Sequence, residues 1–68
     1  MTLKEYVEFM QNKGEDVNYS TIAREIPCAY STIEKIANGK RRPSYEMARR
    51  IEQATNSMVT RYNWFKAD

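Results

Sequence analysis

The side chains with chemical reach in this sequence are unevenly spread. Residues 35–50 carry six bases, Lys35, Lys40, Arg41, Arg42, Arg49 and Arg50, against a single acid, Glu46. The first 18 residues have the opposite bias, with Glu5, Glu8, Glu15 and Asp16 set against Lys4 and Lys13. Summed over 68 residues the formal charge is only +2, too small by itself to imply a polyanionic partner. Its concentration in one segment says more, because a local cluster of cations creates a local field. Other chemistries lack their parts. The chain has no histidine and one cysteine, Cys28, so the commonest general base is missing and no zinc ligand set can be assembled. Nothing suggests catalysis by carboxylates alone. We expect no enzyme activity, no cofactor, no metal and no small-molecule ligand. Cys28 has no resolving partner for redox work and reads as a small turn or core residue.

These bases must be positioned by a small fold. A chain of this length makes one domain, residues 1–68, with a modest core and a thin stability margin. No apolar run approaches the roughly 18 residues of a membrane span, and the opening Met-Thr-Leu-Lys-Glu does not read as a signal peptide. One unpaired cysteine suits a reducing compartment. The expectation is therefore a soluble cytoplasmic protein.

The periodicity is helical throughout. Leu3, Tyr6, Val7 and Met10 fall on one helical face. Thr2 with Glu5 gives a capping-box pattern, and Gly14 supplies a stop, so the first helix is predicted at residues 3–13. Asn18 caps a short second helix, residues 19–26, whose inner face is Ile22, Ala23 and Ile26. Pro27 blocks its continuation. A third helix follows at residues 30–38, with Ile33, Ile36 and Ala37 inward and Gly39 at its end. Ser31 and Glu34 form an alternative capping box, which would start this helix near Thr32 and leave Tyr30 in the turn. Lys40, Arg41, Arg42 and Pro43 make a basic loop. Ser44 caps a fourth helix reaching about residue 55, with Met47, Ala48, Ile51 and Ala54 inward. Arg49 and Arg50 fall on its outer side, as solvated residues or salt-bridge partners. After a turn at Asn56 and Ser57 and an extended bit at residues 57–59, Thr60 caps a last short turn. Its Tyr62, Trp64 and Phe65 either close the core under the first helix or form a dimer contact. The fold class is all-α, a compact bundle of four to five short helices.

The second and third helices have a particular spacing. Ala23 is small enough to let backbones approach, Ile33 lies ten residues later, and Ile36 three beyond that. With Ile33 and Ile36 buried, the start of the third helix is left free to enter a DNA major groove.

This spacing resembles the helix-turn-helix of the phage Cro and repressor family, here at about residues 19–38. The segment STIEKIANGKRRPS looks like the family's recognition helix, glycine stop and basic loop. YEMARRIEQATNSMVTRY resembles the next helix and exit segment of short Cro-like proteins of the YdaS-like group, and Leu3 with Tyr6 fits their opening helix. The match covers about residues 2–63. Two positions depart from it: Pro27 stands where the family has a turn glycine, so the turn must be built differently, and Tyr19 stands where the second helix opens with glutamine.

The resemblance implies a lambda repressor-like DNA-binding domain. Ala29, Tyr30, Ser31, Glu34, Lys35 and Asn38 would then face base edges. Lys35 would donate to guanine O6 or N7, Glu34 would accept from cytosine N4, and Ala29 and Tyr30 would touch a thymine methyl. The bland alternative makes Glu34 and Lys35 a solvated face and Ser31 a cap. Lys40, Arg41 and Arg42 would face phosphates, or favour the helix C-terminus through its dipole. Tyr19, Ser20 and Thr21 would meet a phosphate oxygen at the start of the second helix, or simply cap it. The implied protein is a phage or prophage Cro-type repressor. It would bind a short palindromic operator on double-stranded DNA as a homodimer, formed in solution or only on DNA. The main rival is an antitoxin-like regulator that holds a protein partner. It ranks lower because few residues follow Phe65 to wrap one. An RNA binder ranks below both, since aromatic stacking platforms on sheets are not predicted.

Overall fold

The computed structural model describes residues 1–66. Among them are four α-helices and one short 3-10 turn, with no strand: α1 (Leu3–Asn12), α2 (Tyr19–Glu25), α3 (Tyr30–Ala37), α4 (Tyr45–Ala54) and η1 (Arg61–Asn63). The expected all-helical bundle is what forms. No helix among the described residues is long and apolar enough to cross a membrane.

Local chemistry sets the helix ends. Thr2 and Glu5 make the reciprocal capping box: the Glu5 N–H donates to Thr2 Oγ1 at 3.1 Å, and the Thr2 N–H donates to Glu5 Oε1 at 2.8 Å. Asn18 and Thr21 do the same for α2. Ser44 Oγ accepts the Met47 N–H at the start of α4. Three helices close at their C-termini on a left-handed residue: Gly14 after α1, Gly39 after α3 and Asn56 after α4. After α3, for example, the Gly39 N–H donates to Ile36 O and the Lys40 N–H to Lys35 O, 3.2 and 2.8 Å, which satisfies carbonyls that the helix itself leaves open.

One core joins the helices. Leu3, Tyr6 and Val7 of α1 meet Ile22, Ala23 and Ile26, Ile33 and Ile36 of α3, Ile51 of α4 and Val59 of the exit segment. Each fully buried aliphatic side chain contributes on the order of 1.5–3 kcal/mol of transfer free energy. α2 packs chiefly on α3, and α4 on η1. The α2–turn–α3 unit is a helix-turn-helix held from behind by α1 and α4.

The turn is built without a glycine. The Ile26–Pro27 peptide bond is cis, and the Cys28 N–H donates to Ala23 O at 2.7 Å. Ala29 follows in extended conformation and caps α3 with its backbone alone. The alternative start near Thr32 is therefore not taken: Tyr30 is the first helical residue, and Ser31 makes no cap bond.

The exit from α4 also departs from expectation. Residues 57–59 form no extended strand-like bit, because Ser57 as well as Asn56 takes a positive φ, 66° and 53°. Thr55, fully buried, organises this turn: its Oγ1 donates to Ile51 O at 2.8 Å and accepts the Val59 N–H at 3.1 Å. Trp64 is partly buried against the core, so of its two expected placements the core is the one observed. Thr60 precedes η1 in extended conformation but makes no side-chain cap.

Candidate nucleic-acid interface

α3 divides into two faces because a helix turns 3.6 residues per cycle. Ile33 and Ile36 are 0% and 3% exposed. On the opposite side Tyr30, Glu34 and Asn38 make one i, i+4 row, with Ser31 and Lys35 beside it. All five are exposed, as is Ala29 ahead of them. The six residues expected to meet base edges thus share one open surface. Lys35, in the last turn of α3, is in no ion pair among the described residues, and neither are Lys40 and Arg41.

The basic loop leaves α3 at Gly39. Its backbone returns to the helix end, since the N–H groups of Lys40 and Arg41 both reach Lys35 O. Lys40, Arg41 and Arg42 are exposed, whereas Pro43 is buried and fixes the loop to the body. Arg42 differs from its neighbours: its guanidinium carbon lies 4.5 Å from the centroid of the Phe65 ring. Phe65 in turn meets Tyr45 edge-on, centroids 5.5 Å apart and planes at 74°.

At the start of α2 the three expected phosphate-facing residues separate. Ser20 is exposed and Tyr19 half-buried. Thr21 is committed to the cap: its hydroxyl donates to Asn18 O at 2.8 Å and accepts the Asn18 N–H at 3.0 Å. Tyr19 packs on Tyr30, ring centroids 6.4 Å apart. Burial, and after it the negative charge of Glu8, pushes the Tyr19 phenol above its usual pKa, so it presents a neutral hydroxyl. A groove beside this pair is lined by Lys4, Glu8, Gln11, Tyr19, Ser20 and Tyr30. It brings Lys4 of α1 to the edge of the same surface.

The bases of α4 and η1 are placed differently. Arg49 is exposed on the outer side of α4. Arg50 pairs with Glu46 at 2.8 Å, an exposed i, i+4 bridge, as one of its expected roles had it. Arg61 Nη1 bonds Glu52 Oε1 at 2.8 Å and stacks on Tyr62. That hydrogen bond, donated to Glu52, raises the Arg61 pKa above its ordinary value. The ion pair, the Tyr19–Tyr30 contact, the place of Lys4 and the Phe65–Arg42 stack were not read from the sequence. Each joins residues on different elements, and no local pattern signals them. Cys28 is half-buried, and burial pushes its thiol pKa up.

No protein-family model matches the chain, no curated protein matches it, and no solved structure matches it.

Proposed function

We propose that this chain is a sequence-specific regulator that binds double-stranded DNA through its helix-turn-helix, in the manner of a phage or prophage Cro-type repressor. The observation that carries this reading is the exposed face of α3. Tyr30, Ser31, Glu34, Lys35 and Asn38 stand clear of the core and run into Lys40 and Arg41, cations in no ion pair among the described residues. A helix with one buried side, an open polar side and a basic loop at its end fits a major groove, with base edges before the polar side and phosphates before the loop.

In this reading Lys35, Glu34, Asn38, Ser31, Tyr30 and Ala29 meet bases, and Lys40, Arg41, Arg42, Tyr19 and Ser20 meet phosphates. Thr21 acts through its cap, holding the start of α2 in shape. Two copies on a palindromic operator would place their recognition helices one helical turn apart, about 34 Å. The protein would act in the cytoplasm by occupying promoter DNA, without a cofactor and without catalysis.

Fluorescence anisotropy tests this with two duplexes, DNA flanking the protein's own gene and the same bases scrambled, each at two salt concentrations. The expected result is tighter binding to the native DNA, a steep salt dependence, and loss of the preference on Lys35→Ala. Equal affinity for both duplexes overturns the sequence-specific reading. Absence of binding to either at low salt overturns DNA binding altogether and directs the search to a protein partner of the antitoxin kind.

A further inference from the structure

Arg42 is the one base of the loop that an aromatic ring holds. Its guanidinium lies over Phe65 at 4.5 Å, while Lys40 and Arg41 extend from the same loop with no ion-pair partner among the described residues. Phe65 is itself held, edge-on against Tyr45, the first residue of α4. Pro43, buried, ties the loop between Arg42 and that helix. The ring is thus fixed from one side and offers its face to the guanidinium on the other.

We propose that Phe65 is a positioning residue for DNA binding, which presents the Arg42 guanidinium to the phosphate backbone in a preset orientation. The proposal rests on the DNA-binding reading above. An arginine side chain loses much rotamer freedom when it is fixed on a phosphate. A guanidinium held over a ring has already given up part of that freedom, and its N–H groups that do not face the ring remain open to a phosphate. The charge of the patch favours an anion over a second copy of the chain as its occupant. Arg42 and Lys66 lie about the rings of Tyr45, Tyr62 and Phe65, where the charge of Arg61 is offset by Glu52, and a two-fold contact there would bring the like charges of Arg42 and Lys66 together.

The test is a double-mutant cycle on a fluorescein-labelled random-sequence duplex, since phosphate contacts do not depend on sequence. Phe65→Leu keeps an apolar side chain and removes the ring face. The expected loss is about two- to tenfold in affinity, the range for one pre-ordered side chain, with an unchanged salt slope because no cation is removed. Arg42→Ala weakens binding and reduces the slope by about 0.9. The double variant then binds no worse than Arg42→Ala alone, and Phe65→Tyr restores wild-type affinity.

Additive losses overturn the proposal, and so does tighter binding by Phe65→Leu, which would mean that the ring holds Arg42 away from DNA. If Phe65→Leu loses its helical far-UV signal, Phe65→Met takes its place. Loss of fold in both makes Phe65 a structural residue and overturns the proposal. Wild-type binding with Phe65 neutral removes this inference alone. No wild-type binding removes the DNA reading and the inference together.

Discussion

Replacing Thr55 by valine isolates the contribution of a single buried hydroxyl. The two side chains have nearly the same shape, so no cavity opens at a position that is 0% exposed. What disappears is an oxygen with two duties. Its donation to Ile51 O is dispensable, because that carbonyl also accepts the Thr55 backbone N–H at 3.0 Å. Its acceptance of the Val59 N–H at 3.1 Å is not, because that bond is the one the structure gives this amide, and Val59 is itself fully buried. The variant therefore leaves a buried donor unmade, at a cost of about 1–3 kcal/mol. For a domain of this size each kcal/mol moves Tm by roughly 4–8 °C, so a drop on the order of 10 °C is expected. Thermal melts followed by far-UV circular dichroism measure it, with urea melts to check that the m-value is unchanged. Thr55→Ser, which keeps the oxygen and loses one methyl group, should fall by less. A Thr55→Val protein that melts at or above wild type would refute the assignment of this hydroxyl as the closure of the α4 exit.

Other outcomes follow from the same geometry. Arg41→Ala should make the slope of log affinity against log salt shallower by about 0.9, as for one lost phosphate contact, while Arg49→Ala on the outer side of α4 leaves it unchanged. Glu5 accepts the Thr2 N–H, and that bond holds its carboxyl below the usual value. Its stabilising contribution is complete above the ordinary carboxylate pKa and is lost as pH falls through the lowered folded-state pKa. The Tm of Glu5→Gln should consequently fall less than that of wild type on acidification through that window. Cys28, with its thiol pKa raised by burial, should react with iodoacetamide more slowly at neutral pH than a free cysteine does, and at an ordinary rate in urea. Ile33→Ala, at 0% exposure in the centre of the core, should cost about 2–5 kcal/mol, readable as a lowered urea midpoint.

The parts legible in the sequence are those decided by neighbours along the chain. Thr2 with Glu5, Asn18 before Tyr19, Ser44 before Tyr45, and the glycines at 14 and 39 each act within one turn, and each is found where the pattern puts it. The inner faces follow the helical period for the same reason. The start of α3 was ambiguous because Ser31 and Glu34 satisfy a capping pattern that the turn then makes unnecessary: once the Cys28 N–H reaches back to Ala23 O, the chain is already aimed into a helix at Tyr30. Thr55 reads as an ordinary last helical residue, and only the path of the chain beyond it gives its hydroxyl an amide to accept. The same holds for the candidate site. The open face of α3 is periodic and readable. Thr21's commitment to its cap, the pairing of Tyr19 with Tyr30 and the hold of Phe65 on Arg42 depend on rotamers or on tertiary approach.

α3 begins on an alanine that makes no side-chain cap and ends on a glycine. None of its outward side chains is therefore employed in closing the helix. Ser31, Glu34, Lys35 and Asn38 can be exchanged as a set while the inner isoleucines and the backbone-made ends keep the helix in place; Tyr30, which packs on Tyr19, is the exception. Substitution at those four positions carries little folding penalty, so the chemistry of that face can change while the architecture stays the same. The same separation makes the chain a scaffold for selection, with those four positions randomised and the rest held constant.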